Sequence, residues 1–104
     1  MVLYNITVNI DEGVKLDWLD WMRKKHVPDV MATGCFIESR ISRVHGDEEG
    51  GLTFAISYLS QTKEDYDRYL LKYATELQRE HMEKYKGKFA AFRTILSVIE
   101  EFKL

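Results

Sequence analysis

Residues 2–10 of this chain read VLYNITVNI, and this alternation constrains the fold more than any other feature. Val2, Tyr4, Ile6, Val8 and Ile10 fall on one side of a period-2 segment, with Leu3, Asn5, Thr7 and Asn9 on the other. A segment of this kind is a β-strand with one strongly apolar face. Its second face is polar but carries no charge, whereas a freely solvated strand face usually shows Lys or Glu. That second face is therefore expected to be at least partly covered.

The remaining segments follow in a definite order. Asp11 and Glu12 sit where acids favour a helix start, near the positive end of the dipole. Val14, Trp18, Trp21 and Met22 then recur at i, i+4, i+7 and i+8 on one side of a helix. Arg23, Lys24 and Lys25 crowd its last turn. Pro28 is expected to end this helix and to push Val27 toward an extended conformation. Pro28 to Thr33 reads as one further turn, with Gly34 just past its end. Residues 35–46 alternate again, Ile37 and Ile41 against Glu38 and Arg40. The run Gly46-Asp47-Glu48-Glu49-Gly50-Gly51 is a hairpin turn by composition, and residues 52–60 form the return strand. Thr62 and Asp65 make a capping-box pattern ahead of a long helix that Gly87 stops. This helix carries Tyr66, Tyr69, Leu70, Tyr73 and Leu77 on one face. Residues 88–100 form a last strand that is largely apolar on both faces.

The order β-α-β-β-α-β predicts an α+β, ferredoxin-like fold over residues 1–104. Right-handed crossovers place both helices on one face of a four-stranded antiparallel sheet. The first and third strands are then central, and the second and fourth are edges. An edge strand with two apolar faces is a liability when bare. A second copy packed sheet face to sheet face would cover it, so a homodimer is expected.

Composition narrows the function classes. Apolar residues make up 45% of the chain and charged residues 31%, the balance of an ordinary soluble globular protein. The net charge of −2 gives no broad cationic field for nucleic acid. No apolar run approaches the ~20 residues that span a bilayer. Asn5, Thr7 and Asn9 interrupt any secretory signal pattern, and the single Cys35 fits a reducing, cytoplasmic setting.

Three stretches carry a resemblance: Tyr4 to Asn9; Trp18-Leu19-Asp20-Trp21-Met22 leading to His26-Val27-Pro28-Asp29-Val30-Met31-Ala32-Thr33-Gly34; and Lys88 to Thr94. With these the chain resembles the dimeric α+β barrel superfamily. It is similar, more narrowly, to a family of short proteins described only as a domain of unknown function. The resemblance covers essentially the whole chain. It implies a homodimer with facing sheets, and a ligand held between the helices and sheet of each protomer. Members include cofactor-free monooxygenases, isomerases and haem-degrading enzymes, so the fold implies a location rather than a reaction. Haem-degrading members pair a first-strand Asn with a Trp and a His. Asn5 or Asn9 could match the first, but both Trp residues here lie on the first helix, and that pattern is not met.

His26 is the leading candidate for chemistry, as a general base or ligand-orienting donor at a cavity mouth. The competing reading is a helix-end histidine that complements the dipole. Tyr4, Trp18, Trp21 and Met22 are the expected wall of the same pocket, although aromatics at such spacings are more often plain core. His81 reads as a core or boundary histidine and His45 as solvated. Cys35 reads as a buried structural thiol. Arg93, unusual in an apolar strand, is expected to pair with an acid across the dimer, with a ligand carboxylate as the alternative. The histidine spacings match no metal motif, so neither metal nor cofactor is expected. Two functions remain open: a small-molecule site for a compact, partly aromatic ligand, or a dimeric module whose aromatics are structural. An enzyme on this scaffold would resemble cofactor-free monooxygenases or isomerases, with His26 as acid/base.

Overall fold

The alternation of residues 2–10 becomes β1 (Val2–Asp11), whose even-numbered side chains Val2, Tyr4, Val8 and Ile10 are buried. A computed structural model describes residues 1–46 and 50–104. The hairpin turn expected around Asp47-Glu48-Glu49 lies outside the described residues. The other strands are β2 (Glu38–Arg43), β3 (Gly51–Ser60) and β4 (Phe89–Ser97). They pair antiparallel in the order β2-β3-β1-β4, so β1 and β3 are central as expected. Tyr4 lies opposite Tyr58 on one side and Ile95 on the other. This register puts Tyr4, Ile6, Val8, Ile56, Tyr58 and Arg93 on the face toward the helices.

The first helical stretch departs from expectation at Pro28. After a 3₁₀ turn over Glu12–Val14, helix α1 (Lys15–Trp21) passes into a π-helical turn over Met22–His26 and then into α2 (Val27–Met31). The chain stays helical through the proline, and Val27 has φ −63° and ψ −45° rather than an extended conformation. The physical reason is the widened turn. The Val27 N–H bonds the Met22 carbonyl five residues back. In a regular α-helix the Pro28 ring would strike the Lys24 carbonyl, and one extra residue in the turn relieves that clash.

The second helical stretch is capped by Thr62, whose hydroxyl accepts from the Asp65 N–H at 3.1 Å. It comprises α3 (Lys63–Lys72) and α4 (Ala74–Lys84), bent at Tyr73 with φ −127° and ψ −32°. The bend corrects one expectation. The buried stripe passes from Tyr66 and Tyr69 to Ala74, and leaves Leu70 at its margin, 43% exposed.

The core is aromatic. The rings of Tyr4, Phe36, Tyr58 and Tyr69 pack with centroids 4.9–6.3 Å apart. Offset and tilted pairs of this kind add ~0.5–1.5 kcal/mol each beyond burial. Cys35 is buried beside them, as the sequence indicated. β4 differs from the other strands in that the helices do not reach over it. Ala91, Arg93 and Ile95 on the helix side and Phe92 and Leu96 on the opposite face are all exposed. The strand ends at Ser97, three residues earlier than its apolar run suggested, with one further bond from the Val98 N–H to the Met1 carbonyl.

Candidate functional site

The gap that the helices leave beside β4 is a cavity of about 230 Å³. Its floor is Tyr4, Ile6 and Val8 of β1 and Ile56 and Tyr58 of β3; its sides are Met22 and His26 of the π-helical turn, Gln78 and His81 of α4, and Phe89, Ala91 and Arg93 of β4. The volume lies just under the range of ordinary small-molecule sites, and suits a ligand of one or two rings.

His26 owes its place to the widened turn. Its ring stacks on Trp21 at 5.0 Å and 28°, and meets the His81 ring edge-on at 5.7 Å. Its Nδ1 is buried with no hydrogen-bond partner among the described residues. Burial holds its pKa below the usual histidine value, against the pull of Glu80 and Asp29.

His81 is fixed from behind. The indole N–H of Trp18 donates to its Nε2 at 2.9 Å. An indole nitrogen only donates, so Nε2 must be unprotonated. Burial, then the neighbouring His26 and Arg93 charges, push the His81 pKa down to about 4. The two imidazoles are thus a neutral pair at pH 7: His81, its Nε2 occupied by the indole, carries its proton on Nδ1 and can only donate, while His26 keeps an acceptor nitrogen.

At the other end, the Tyr4 hydroxyl accepts from Arg93 Nε at 2.9 Å and from Gln78 Nε2 at 3.4 Å. The Tyr58 hydroxyl is buried without a hydrogen-bond partner, and burial raises its pKa and that of Tyr69. The cavity therefore combines an apolar aromatic floor with a few convergent polar groups.

Of the residues singled out from sequence, Tyr4, Met22 and His26 line this space together, and Trp18 and Trp21 do not. Trp18 is 0% exposed, packed on Phe54 at 5.2 Å behind His81. Trp21 backs His26 from the outer side, under the Lys84 ammonium. Arg93 faces the helix layer rather than the outer sheet face, because it lies opposite Ile6. Within its own protomer its hydrogen-bond partner is Tyr4. Gln78 was missed, and His81 is the boundary histidine the sequence suggested but also lines the space. His81 stands seven residues after Ala74 and four before Tyr85, both buried, and that spacing was a legible signal of its inward face. A wider, shallower groove of about 750 Å³ runs between Pro28, Met31, Ser39 and Ile41 on the β2 side.

With this geometry in place, comparisons with known proteins define the class: a ferredoxin-like α+β fold. The chain belongs to the family described as Domain of unknown function (DUF4286), whose pattern it matches over residues 1–99. A dimeric ferredoxin-like protein from an uncultured marine organism is similar in structure, with a TM-score of 0.73 at 17% identity over 100% of both chains. HapK from Hahella chejuensis gives a TM-score of 0.73 at 5% identity, covering 100% of this chain and 98% of its own. SnoaB from Streptomyces nogalater, a cofactor-independent oxygenase, gives 0.68 at 5% identity over 96% of this chain and 95% of its own. These likenesses establish the fold alone. No curated protein matches the sequence.

Proposed function

We propose that this protein is a homodimer that binds a compact, flat, partly aromatic molecule in the cavity between helices and sheet of each protomer. The observation that carries the reading is the aromatic cavity itself, whose sides bring His26, His81, Gln78 and Arg93 together over the Tyr4 and Tyr58 floor. Dimerisation is supported separately by the exposed Phe92 and Leu96 on the outer sheet face and by the dimeric neighbour. Within this reading Tyr4, Met22 and His26 touch the ligand, while Trp18 and Trp21 hold the two histidines. NMR titration of the protein with indole tests it. Shifts confined to the amides around Met22, His26 and His81, weakened by His26→Ala in a folded protein, are expected. Shifts spread over the β2 groove, or none, would overturn it.

A second reading has one specific support, the neutral and unpartnered imidazole of His26. In it the site removes a proton from an acidic C–H or O–H of the bound molecule, as in cofactor-free oxygenase or isomerase chemistry. Deuterium exchange into a bound enolisable ketone checks this. His26→Gln should abolish exchange and leave binding within about twofold.

A further inference from the structure

The charge of the cavity is one-sided. Among the described residues its lining contains no Asp or Glu, and its only formally charged side chain is Arg93. Among the described residues Arg93 makes no ion pair. Its one hydrogen bond runs from Nε to the Tyr4 hydroxyl, which leaves the terminal Nη groups of the guanidinium without partners. Other cations of the chain are neutralised by an acid: Lys24 by Asp20, Lys63 by Asp67, and Arg79 by both Glu76 and Glu83.

The groups around Arg93 point the same way. The Tyr4 hydroxyl already accepts from both Arg93 and Gln78. A hydroxyl in that position has its own proton left to give, and no acceptor among the described residues takes it. The two histidines are neutral and add no competing positive charge. The Nη groups and the Tyr4 O–H thus form a donor set on the β4 side, facing an apolar floor of Ile6, Val8 and Ile56. A planar fork of donors beside a hydroxyl matches a carboxylate in shape and in charge.

Resting on the small-molecule reading above, we infer that the ligand is a monocarboxylate with a compact aromatic or cyclic body. Its carboxylate would sit on Arg93 and Tyr4, and its ring between Phe89 and the β1 floor. That orientation directs the ligand's far end toward His26 and His81. Arg93 is then the residue that selects the charge of the ligand and fixes which end faces the imidazoles.

Calorimetry with benzoate and its neutral isostere benzamide at pH 7.5 tests this. Benzoate is expected to bind about tenfold or more tightly than benzamide, since charge-assisted hydrogen bonds are roughly twice as strong as neutral ones. Arg93→Gln should erase that preference by lowering benzoate affinity about tenfold or more. Arg93→Lys keeps the charge without the fork and should retain part of the preference, with near-ultraviolet circular dichroism confirming that both variants keep the native core. Equal binding of the two probes, or a preference that survives Arg93→Gln, overturns the carboxylate inference and leaves the cavity reading standing. Binding of neither probe overturns both.

Discussion

The Trp18 indole N–H donates to Nε2 of His81 across 2.9 Å, which ties the first helical stretch to the last one behind the cavity wall. Trp18 has no exposed surface. Without His81 its N–H would be left buried and unsatisfied, at about 1–3 kcal/mol. His81→Leu should therefore lower unfolding free energy by that amount in urea denaturation. His81→Gln, which can still present an acceptor, should recover part of the loss.

The burial of His81 makes stability depend on pH. The folded chain holds His81 with its pKa pushed down to about 4, below the unfolded value of 6.5. Between these values the unfolded state binds more protons, so stability rises with pH across the window. The contribution is fully present above pH 6.5 and is lost as pH falls toward 4. His26 is shifted in the same direction and adds to the effect. Urea midpoints measured from pH 7 down to pH 4 should fall for the wild type. The fall should be shallower in His81→Gln, which removes one of the two histidine contributions.

Much of this architecture was legible because strands and helices bury stripes of different period. The alternation from Val2 to Ile10 placed Tyr4 and Val8 on the helix side, and the structure keeps that register. The site was legible only in part. His26 could be placed at a helix boundary, but the widened turn that aims it inward comes from the backbone accommodating Pro28, and no residue pattern announces it. Trp18 and Trp21 lie on the predicted face, yet which aromatics line a space and which stand behind it depends on helix-to-sheet spacing. Arg93, a charge in an apolar strand, suggested either an interface or a ligand, and its pairing with Ile6 turns it toward the helices of its own protomer.

Phe36 belongs to no regular element, and nevertheless it closes the aromatic core against Tyr4, Tyr58 and Tyr69. It is buried in a loop whose backbone cannot readily collapse into the space a smaller side chain would leave. Phe36→Ala should cost about 3–5 kcal/mol, the range for deleting a buried ring. Thermal unfolding followed by circular dichroism checks it, and Phe36→Leu should lose less.

Gly51 opens β3 opposite Asp11. A Cβ there would come within 2.6 Å of the Ile10 carbonyl oxygen and of the Asn9 side-chain oxygen. The Asn9 side chain can turn away, but the Ile10 carbonyl is backbone of the central strand and can move only with its ladder. Gly51→Ala should therefore lower the melting temperature, despite the entropy that alanine removes from the unfolded chain. Gly46→Ala, which meets nothing within 4 Å, should not.

On the outer sheet face Phe92 is 63% and Leu96 45% exposed in the single protomer, beside Thr7 and Leu3 of β1. Both lie on an edge strand, on the face away from the helices. If this face joins two copies, a charge at its centre must be desolvated on association without a partner, which is strongly unfavourable. Phe92→Asp should therefore convert the dimer to a monomer in sedimentation equilibrium at micromolar concentration. Far-ultraviolet circular dichroism should stay unchanged, because Phe92 packs against little within its own protomer. Leu71→Asp is the control: Leu71 is 84% exposed on α3, in the helix layer, and its substitution should leave the dimer intact. A Phe92→Asp variant that sediments like the wild type would show that the outer face is not the interface, and an apolar face this open would then need a different occupant.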